Sequence, residues 1–402
     1  MNILVLNCGS SSVKYKLIEI KANKVLAEGG IEKIGLPDAF IKFKTQDGKK
    51  HQMDLDISDH SGAIKAILNN LTSREFGCIR NFEEIDAVGH RVVHGGEKFN
   101  KSVLINDEVI AMIKDCYSIA PLHNPVNMAG IEAITEILPD VPQVAVFDTA
   151  FHQTMPPKAY MYALPYKYYI IDHVRRYGFH GTSHRYVSKR VCDFLGVDYE
   201  QQKVICCHIG NGGSITAVQN GKSIDTTMGL TPTEGLMMGT RCGDLDPGAI
   251  LYLMEKHHLN VKGMLEIVNK LSGLSGLTGI SSDMREVNAA SEEGDDRARL
   301  GLDMYAHRVT KYIGAFAAEM NGVDIIVFTG GVGEHQANVR ANICRTLGFM
   351  GVEIDDEVND ANNGDEGIIS TANSRVKVVV IPTDEEYMIA HDTEAIVEGR
   401  EP

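Results

Sequence analysis

Two arginines stand in glycine-rich, largely neutral loops, where a guanidinium group could bind a phosphate or a carboxylate. Arg91 lies in the segment 89–96, and Arg241 lies in the segment 239–244. An arginine in such a loop can donate two parallel hydrogen bonds to either anion. Most other arginines of the chain are better interpreted as surface residues. These two therefore predict a cleft that binds anions.

Three glycine- or serine-rich turns, each directly after an apolar strand, could hold a phosphate or a nucleotide. They are Asn7–Ser12, Gly210–Ser214 and Gly330–Gly333. Glycine lets backbone N–H groups approach an anion, and serine hydroxyl groups add donors. Any one such turn is more often an ordinary hairpin, but three of them favour a phosphate-binding function. Neither the P-loop fingerprint nor the Rossmann fingerprint fits the sequence around these turns.

Acidic, amide and imidazole side chains add further candidates. Asp148 ends the apolar strand 144–147, where α/β enzymes often carry a site residue, although it could equally cap the next segment. His180 and His184 are four residues apart, but the glutamate of a zinc-binding H-E-x-x-H motif is missing. Asn7 and Glu385 offer the oxygen atoms that Mg²⁺ prefers. Spacing alone favours an ordinary helix-terminal charge for Glu385.

Composition limits the possible partners and the compartment. The 402 residues are typical of two domains, and the net charge of −15 argues against a nucleic-acid or anionic-membrane partner. The eight cysteines form no C-x-x-C pair, so we do not expect a zinc site. Scattered free thiols are instead typical of a protein in a reducing cytoplasm. The sequence contains no apolar stretch long enough for a signal peptide or a bilayer span.

A strand–turn–strand pattern occurs twice. Strands are predicted at 3–6 and 13–20 around a turn at Gly9–Ser11, and the alternation places Ser12 and Lys14 on one polar face. The second copy has strands at 204–209 and 214–218, followed by an Asn220-Gly221 hairpin signal. Two such units predict two related α/β domains.

Further elements are predicted from caps and periodicity. Asn124 is expected to be the N-cap of a helix with Pro125 at its first position. Capping boxes are expected at 283–286 and 383–386, the second of which begins the last helix. The remaining expected elements are a helix over 295–320, a strand over 325–328, a glycine-rich turn over 329–333, a helix over 334–346 and a strand over 376–381.

No low-complexity linker is visible in the sequence, so we expect the chain to pass from one domain to the other through short connections. We expect an N-terminal domain over 1–149 and a C-terminal nucleotide-binding domain over 150–385. The last helix, over 386–402, could return to the first domain.

The segment Asn7–Lys14 closely resembles the N-terminal signature of the acetate kinase family, and Gly178–His184 resembles the family's second signature. The resemblance covers nearly the whole chain in order and spacing. Further similar segments are 89–96, 147–151, 210–214, 233–246, 329–334 and 382–386. The family belongs to the sugar kinase, Hsp70 and actin superfamily. The resemblance therefore implies two duplicated, ribonuclease H-like α/β domains around a central cleft.

The resemblance also implies a function. It is reversible in-line transfer of a phosphoryl group from ATP to acetate, giving ADP and acetyl phosphate, by a cytoplasmic homodimer. The expected cofactor is Mg²⁺, with Mn²⁺ as a possible substitute. Alternatives are propionate or butyrate as the acceptor, a sugar or glycerol kinase, and a non-enzymatic Hsp70-like nucleotide-binding protein. The intact set Arg91, Asp148, His180 and Arg241 argues against the last.

Roles follow for individual residues by the same resemblance. Asn7 and Glu385 would hold the metal, and Arg91 would bind the acetate carboxylate. Arg241 and His180 would stabilise the transferring phosphoryl group. Asp148 would be the acidic catalytic residue. A small apolar pocket for the methyl group would consist of Val93, Leu122, Phe179 and Pro232. ATP would contact Ser10, Ser12, Lys14, His208, Ile209, Gly210, Asn211, Gly212, Asp283, Met284, Arg285, Gly331, Val332, Gly333, Glu334 and His335.

Two positions depart from the family pattern. Asp384 stands where many relatives carry asparagine, which adds a negative charge beside the expected metal ligand Glu385. Cys8 replaces a commoner alanine. A simple carboxylic acid, with a pKa of roughly 4–5 as in Asp and Glu, is ionised at neutral pH and needs no general base. We therefore hypothesise that Asp148 orients Arg241 or a metal-bound water.

Overall fold

The chain forms two compact units. A computed structural model describes residues 1–45 and 48–402. Unit 1 comprises Met1–Gln153 and Asp384–Pro402, and unit 2 comprises Thr154–Thr383. The last helix belongs to unit 1.

Both units contain a β-sheet. The strands are β1 (Asn2–Gly9), β2 (Ser12–Glu19), β3 (Lys24–Glu32), β4 (Phe40–Lys44), β5 (Lys50–Asp54), β6 (Ala87–Val92), β7 (Val103–Leu104), β8 (Gln143–Phe147), β9 (Lys203–Ile209), β10 (Gly213–Gln219), β11 (Lys222–Thr226), β12 (Ile325–Thr329), β13 (Gly367–Ile368) and β14 (Lys377–Val380).

Helices connect these strands and cover the sheets. They are α1 (His60–Leu71), α2 (Asp107–Asp115), α3 (Asn124–Ile137), α4 (Pro157–Tyr160), α5 (Lys167–Asp172), α6 (Gly181–Leu195), α7 (Pro247–Lys256), α8 (Val261–Lys270), α9 (Gly273–Thr278), α10 (Met284–Glu292), α11 (Asp296–Glu319), α12 (Gly330–His335), α13 (Ala337–Arg345), α14 (Asp356–Ala361) and α15 (Glu385–Val397). None of the helices in the described residues is long and apolar enough to cross a membrane.

The two sheets share a central arrangement of five strands. In unit 1 the strand order is β5-β4-β3-β2-β1-β6-β8-β7, and in unit 2 it is β11-β10-β9-β12-β14-β13. The first three strands of each unit pair antiparallel, and the next two central strands run parallel to the first. This is the ribonuclease H-like arrangement. The duplicated α/β architecture expected from the repeated strand–turn–strand pattern is confirmed.

Side-chain alternation along β1 explains why unit 1 has helices on both faces of its sheet. Leu4 and Leu6 point to a core that includes α1 and α3, whereas Ile3 and Val5 point to a core that includes Ile389 of α15. Successive side chains of a strand face opposite sides of the sheet. An apolar run on a central strand therefore needs cover on both faces, and α15 supplies the second.

Unit 2 is built around a large core beneath α11. The apolar stripe of this helix, which includes Val309 and Ile313, packs against Ile205 and Cys207 of β9. The helix begins after the N-cap Asp295, whose carboxylate accepts a hydrogen bond from the N–H of Ala298. The helix predicted over 295–320 is therefore confirmed. The hairpin at Asn220-Gly221 is also present, with φ of 53° and 75° as a type I′ turn requires.

Two sequence expectations about helix starts are wrong. Asn124 is not the N-cap of α3, because its side chain is fully buried and binds both the N–H and the carbonyl of His94. The last helix is capped by Asp384 rather than Thr383: the Asp384 carboxylate accepts from the N–H of Tyr387. The hydroxyl group of Thr383 instead contacts Ser183 in unit 2.

The third glycine-rich turn is also different from the expectation. Residues 330–333 form the first turn of α12, and a second helix, α13, begins after a break at Gln336. Glu334 explains the early start, because its Oε1 accepts hydrogen bonds from the N–H of Gly330 and the hydroxyl group of Thr329. A side chain four residues away thus satisfies one of the unpaired backbone N–H groups at the helix N-terminus.

A buried histidine makes the stability of unit 1 depend on pH. His90 on β6 is 2% exposed, its Nε2 lies 2.8 Å from Gln143 Oε1, and burial lowers its pKa from 6.5 to about 4. Below pH 6.5 the unfolded chain binds a proton that the folded chain does not. The free energy of unfolding should therefore fall by up to about 1.4 kcal/mol per pH unit between pH 6.5 and pH 4, and no further below pH 4.

Urea denaturation of wild type and His90→Gln at half-unit pH steps measures this contribution. The pH-dependent difference in unfolding free energy between the two proteins should develop only between pH 6.5 and pH 4. A difference that stays constant over this range would contradict the assignment.

Candidate active site

The carboxyl edge of the unit 1 sheet brings Arg91 and Asp148 together. Arg91 lies near the end of β6 and Asp148 directly follows β8, and the two strands are parallel neighbours in which Val92 faces Phe147. Arg91 Nε donates to Asp148 Oδ1 at 3.1 Å, and Nη2 donates to Oδ2. The carboxylate is 2% exposed. This fork-to-fork geometry fixes the plane of the guanidinium group.

Asn7 completes this arrangement from the adjacent strand. Arg91 Nη1 donates to Asn7 Oδ1 at 3.1 Å. Three of the five N–H groups of Arg91 are thus used inside unit 1, which leaves two donors for a ligand. Burial lowers the pKa of Arg91, but the negative charges of Asp148 and Glu385 outweigh this effect and raise the pKa above its usual value. The arginine therefore stays charged.

Glu385 lies in the same cluster at the start of α15. Burial raises its pKa, and the neighbouring carboxylates of Asp148 and Glu386 act in the same direction, whereas Arg91 and Lys14 oppose them. A carboxylate held among other carboxylates is stabilised by a bound cation. The oxygen atoms of Asn7, Asp148 and Glu385 are also the donors that a hard divalent ion prefers.

The described residues contain no group of three His, Cys, Asp or Glu side chains placed to hold a metal ion by themselves. Mg²⁺ usually keeps several waters and takes only one or two carboxylates together with substrate phosphates. The sparse donor set at Asn7 and Glu385 therefore fits a metal that arrives with a nucleotide better than a metal held by the protein alone.

The first glycine-serine turn borders this cluster. Asn7 and Lys14 are directly opposite each other in the antiparallel β1–β2 pair, so both side chains lie on one face of the sheet. Lys14 and Ser10 are exposed, and Ser12 is half-buried. The polar face predicted for Ser12 and Lys14 is therefore confirmed.

Two buried asparagines on α3 hold the loops of this cluster in place. Asn127 accepts from the N–H of Val93 and donates to the carbonyl of Cys8, at 3.0 and 2.9 Å. It thereby joins the loop after Arg91 to the first turn. Asn124 similarly binds His94. Sequence reasoning missed both roles, and the available signal was a pair of asparagines on the apolar face of a helix.

Lys16 is a further residue that sequence reasoning missed. Its ammonium group lies 3.5 Å from Asp384 and 3.6 Å from Glu386, the two residues that flank Glu385. The negative charge that Asp384 adds to this part of the chain is therefore paired. The pair also ties the start of α15 to β2.

In unit 2, Gly212 lies between Arg241 and His180. A Cβ atom at position 212 would lie 3.4 Å from Arg241 Nη1 and 3.8 Å from His180 Cε1. Burial lowers the pKa of Arg241, and among the described residues of unit 2 no carboxylate lies within ion-pair distance of it. This cation is thus partly desolvated and not neutralised within its own unit.

Two further histidines and two serines surround the imidazole of His180. Its Nδ1 lies 2.9 Å from Ser214 Oγ, which also contacts His184 Nε2 at 2.7 Å. His208 stacks on His180 with ring centroids 4.4 Å apart, and its Nδ1 contacts Ser183 Oγ. His180 itself has a left-handed backbone, with φ of 55°, at the N-terminus of α6.

A cavity of about 680 Å³ opens in unit 2 beside the second and third glycine-rich segments, and its volume is in the range of small-molecule sites. Eleven residues line it, three of which the sequence did not predict: Ser282, Gln336 and Asn363. The other eight were predicted, and they are Gly210, Asn211, Asp283, Met284, Arg285, Gly331, Val332 and His335.

The remaining predicted nucleotide residues of unit 2 lie behind the cavity wall. Ile209 is fully buried, and Gly333 packs against it. Glu334 binds the backbone of Gly330 and of Thr383. His208 and Gly212 lie beside His180, as described above.

Of the residues that line the cavity, Asp283 caps α10 and pairs with Arg285, which lowers the Asp283 pKa to about 2.

The four residues expected to form an apolar pocket are divided between the units. In unit 1, Val93 is buried, whereas Leu122 is 73% exposed. In unit 2, Phe179 is buried and Pro232 is half-buried.

Comparison with known proteins identifies what this architecture resembles. Residues 2–391 match the Acetokinase family. An acetate kinase of Bacteroides thetaiotaomicron is 59% identical over 393 residues, which is 98% of each chain. The crystal structure of Porphyromonas gingivalis acetate kinase is 54% identical with a TM-score of 0.96, covering 98% of this chain and 99% of that one. A Francisella tularensis propionate kinase structure is 43% identical with a TM-score of 0.91, over the same shares.

Asp384 should contribute to stability as a helix cap more than as a charge. Asp384→Asn keeps a good N-cap and removes an ion pair whose aspartate is 43% exposed, so we expect a change within about 1 kcal/mol. Asp384→Ala also removes the cap and should cost about 1 kcal/mol more. Urea denaturation of both variants measures the difference. Equal destabilisation by Asn and Ala would assign the effect to the ion pair.

Proposed function

The chain belongs to the acetokinase family, and we propose that it catalyses reversible transfer of the γ-phosphoryl group of ATP to acetate, giving ADP and acetyl phosphate. An acetate oxygen forms a bond to the γ-phosphorus while the bond to the β,γ-bridging oxygen breaks. No proton is transferred in this step. The observation that carries the proposal is the oriented, charged Arg91 next to Asp148 and Asn7, in a chain similar to acetate kinases over its whole length.

Arg91 is the residue proposed to bind the acetate carboxylate. Its guanidinium group keeps two N–H donors after its contacts to Asp148 and Asn7. Those donors can reach one carboxylate in a defined plane. The ionised substrate needs no base. We therefore propose that Asp148 acts by orienting the guanidinium group of Arg91. Its observed partner is Arg91, where the sequence had suggested Arg241 or a metal-bound water.

Arg241 and His180 are proposed to stabilise the transferring phosphoryl group. Phosphoryl transfer needs positioning and charge stabilisation more than covalent chemistry from the protein. A partly desolvated arginine without a carboxylate partner in its unit offers its full charge to the equatorial oxygens. His180 is held in one orientation by Ser214 and His208, so it can donate without reorganisation.

A divalent ion is proposed at Asn7 and Glu385, with Mg²⁺ as the first choice and Mn²⁺ as a substitute. When bound, it would neutralise charge on the phosphate oxygens. Asn7 would be an amide-oxygen ligand, and Glu385 would contribute a carboxylate whose raised pKa a cation lowers. Ser10, Ser12 and Lys14 are proposed to contact the transferred phosphate from the neighbouring turn.

ATP is proposed to bind the cavity of unit 2. Gly210, Asn211 and Gly331 lie in its wall, and Gly331 belongs to the first turn of α12. A helix N-terminus favours negative charge. The larger part of the nucleotide would lie against Met284 and Val332. The residues behind the cavity wall would hold the two glycine-rich segments, 210–214 and 330–333, in position.

The partners and the compartment are also part of the proposal. All eight cysteines are free, which favours a reducing compartment, and we place the protein in the cytoplasm. Exposed apolar residues on α7 and α8, among them Leu251, Tyr252, Val261 and Leu265, offer a surface for a second copy of the chain. Light scattering should give the mass of a homodimer, and a monomer over the micromolar range would contradict this.

Propionate is the second candidate acceptor, because the fold matches a propionate kinase at a TM-score of 0.91. Trapping of the acyl phosphate by hydroxylamine, with ATP and Mg²⁺, tests both candidates. Rates should be highest with acetate, lower with propionate and butyrate, and absent with glycerol. Absence of acyl hydroxamate with every carboxylate would refute the proposed reaction.

Arg91→Ala should raise the KM for acetate. Loss of hydrogen bonds to a charged group costs about 1.5–3 kcal/mol, which is roughly a ten- to hundredfold change. Arg91→Lys should rescue poorly, because a point charge lacks the planar fork. The matched control is Arg299→Ala, which removes an arginine from an exposed ion pair. An unchanged acetate KM in Arg91→Ala would remove this residue from the site.

Asp148→Asn tests orientation against base catalysis. Asparagine keeps the shape but lacks the charge, and it can accept from Arg91 through one oxygen only. We expect the kcat/KM for acetate to fall roughly ten- to hundredfold while the shape of the pH–rate profile is retained. Loss of activity together with loss of a carboxyl-range pKa from the profile would instead support a base.

A further inference from the structure

Arg176, four residues before His180, contacts three carbonyl groups and one carboxylate. Its Nη1 lies 2.7, 2.9 and 3.2 Å from the carbonyl oxygens of Thr226, Thr227 and Met228. Its Nη2 donates to Glu234 Oε1 at 2.7 Å. One guanidinium group therefore binds the end of β11 and a carboxylate eight residues further along the chain.

Glu234 is the second half of this clamp. Its other oxygen, Oε2, accepts from the hydroxyl group of Tyr162, and that hydroxyl oxygen accepts from the N–H of Leu230 at 2.9 Å. Both carboxylate oxygens are thus used. Because Leu230 and Glu234 lie on either side of Pro232, the clamp fixes both ends of the short loop that carries this proline.

The backbone joins the same two segments directly. The N–H groups of Tyr177 and Gly178 both point to the carbonyl of Gly229, at 3.1 and 3.2 Å. A Cβ atom at Gly229 would overlap Glu234 Oε2 and the Tyr162 hydroxyl group. The absence of a side chain at position 229 therefore leaves the space in which Glu234 and Tyr162 meet.

The two segments joined in this way supply both of the acyl-pocket residues assigned to unit 2. Phe179 follows Gly178 directly, and Pro232 lies between the two clamped ends of its loop. Neither Arg176 nor Glu234 belongs to the proposed contacts with acetate or ATP. Their geometry fixes the placement of residues that do.

We propose that Arg176 and Glu234 are positioning residues that hold Phe179 and Pro232 at a fixed separation and thereby set the length of the acyl chain that the pocket accepts. This inference rests on the proposed function, because it assumes that the pocket receives the alkyl group of a carboxylic acid. Acetate and propionate differ by one methylene group, and a rigid apolar pocket discriminates such a difference by roughly ten- to two-hundredfold. A wall that can move discriminates less.

The test compares kcat/KM for acetate and for propionate in wild type and in Glu234→Gln. The amide keeps the size of the side chain but removes the charge that holds Arg176. We expect the preference for acetate over propionate to fall about tenfold, through a higher KM for acetate and an unchanged or lower KM for propionate. The KM for ATP should not change.

Tyr162→Phe is the second variant, because it removes one hydroxyl group from the clamp and leaves Arg176 and Glu234 in place. It should move the preference in the same direction by a smaller factor. The matched control is Glu366→Gln, which breaks the exposed bidentate pair with Arg190 in the same unit. This control should leave every parameter at its wild-type value.

The outcomes separate the two claims. No acyl hydroxamate from wild type with any carboxylate would refute the proposed reaction itself. Normal wild-type activity, with an acetate preference unchanged in both Glu234→Gln and Tyr162→Phe, would overturn only the positioning role. An equal fall in kcat/KM for both acids would also overturn it, because a general loss of structure lowers both together. If Glu234→Gln does not fold, the Tyr162→Phe comparison decides.

Discussion

The bidentate contact between Arg91 and Asp148 depends on two parallel strands that end at the same edge of a sheet. β6 and β8 are neighbours in register, so a residue near the end of one strand meets a residue just past the end of the other. The carboxylate raises the pKa of Arg91 against the opposing effect of burial, so the guanidinium group stays charged. The remaining features of unit 1 follow from this pair, because Asn7 adds an acceptor from β1 and Glu385 enters the same field of charges.

Unit 2 solves the opposite electrostatic problem. Its arginine, Arg241, is partly buried without a carboxylate partner in its unit, and Gly212 lies beside its side chain and His180. The imidazole of His180 is held by Ser214 and by the stacked ring of His208. One unit thus holds an arginine whose direction is fixed by an anion, and the other holds an arginine whose charge is left for a ligand. This division fits a reaction in which one substrate is a carboxylate and the other carries the phosphates.

Sequence reasoning named candidate residues for the site but did not predict which of them contact one another. Arg91, Asp148 and Asn7 could be named from loop composition and family resemblance, and the duplicated sheets from a repeated strand–turn–strand pattern. The contact between Arg91 and Asp148 spans 57 positions, so local spacing carried no information about it. Asn124 misled because asparagine before proline is a good cap, whereas the backbone of His94 competed for its side chain. Residues 330–333 misled because glycines usually mark a turn, and only the carboxylate of Glu334 made them the start of a helix.

The comparisons with relatives settle the family, and the internal geometry explains how this chain fulfils the family pattern. Lys16 pairs with Asp384 and Glu386 on either side of Glu385, so the charge of Asp384 has a cationic partner. Asn127 joins the first turn to the loop after Arg91. Neither residue was conspicuous in the sequence. Both act through backbone or charge contacts that only the fold creates.

The path of the chain has a consequence for the order in which the protein can be made. Unit 1 begins at the first residue, yet α15, which covers one face of its sheet, is translated only after the whole of unit 2. Domains generally fold as units while they emerge from the ribosome. The apolar face formed by Ile3 and Val5 therefore remains uncovered until unit 2 has been synthesised. The late segment that closes this core also delivers Glu385, so the nascent chain acquires its expected metal ligand and its finished first unit in one event.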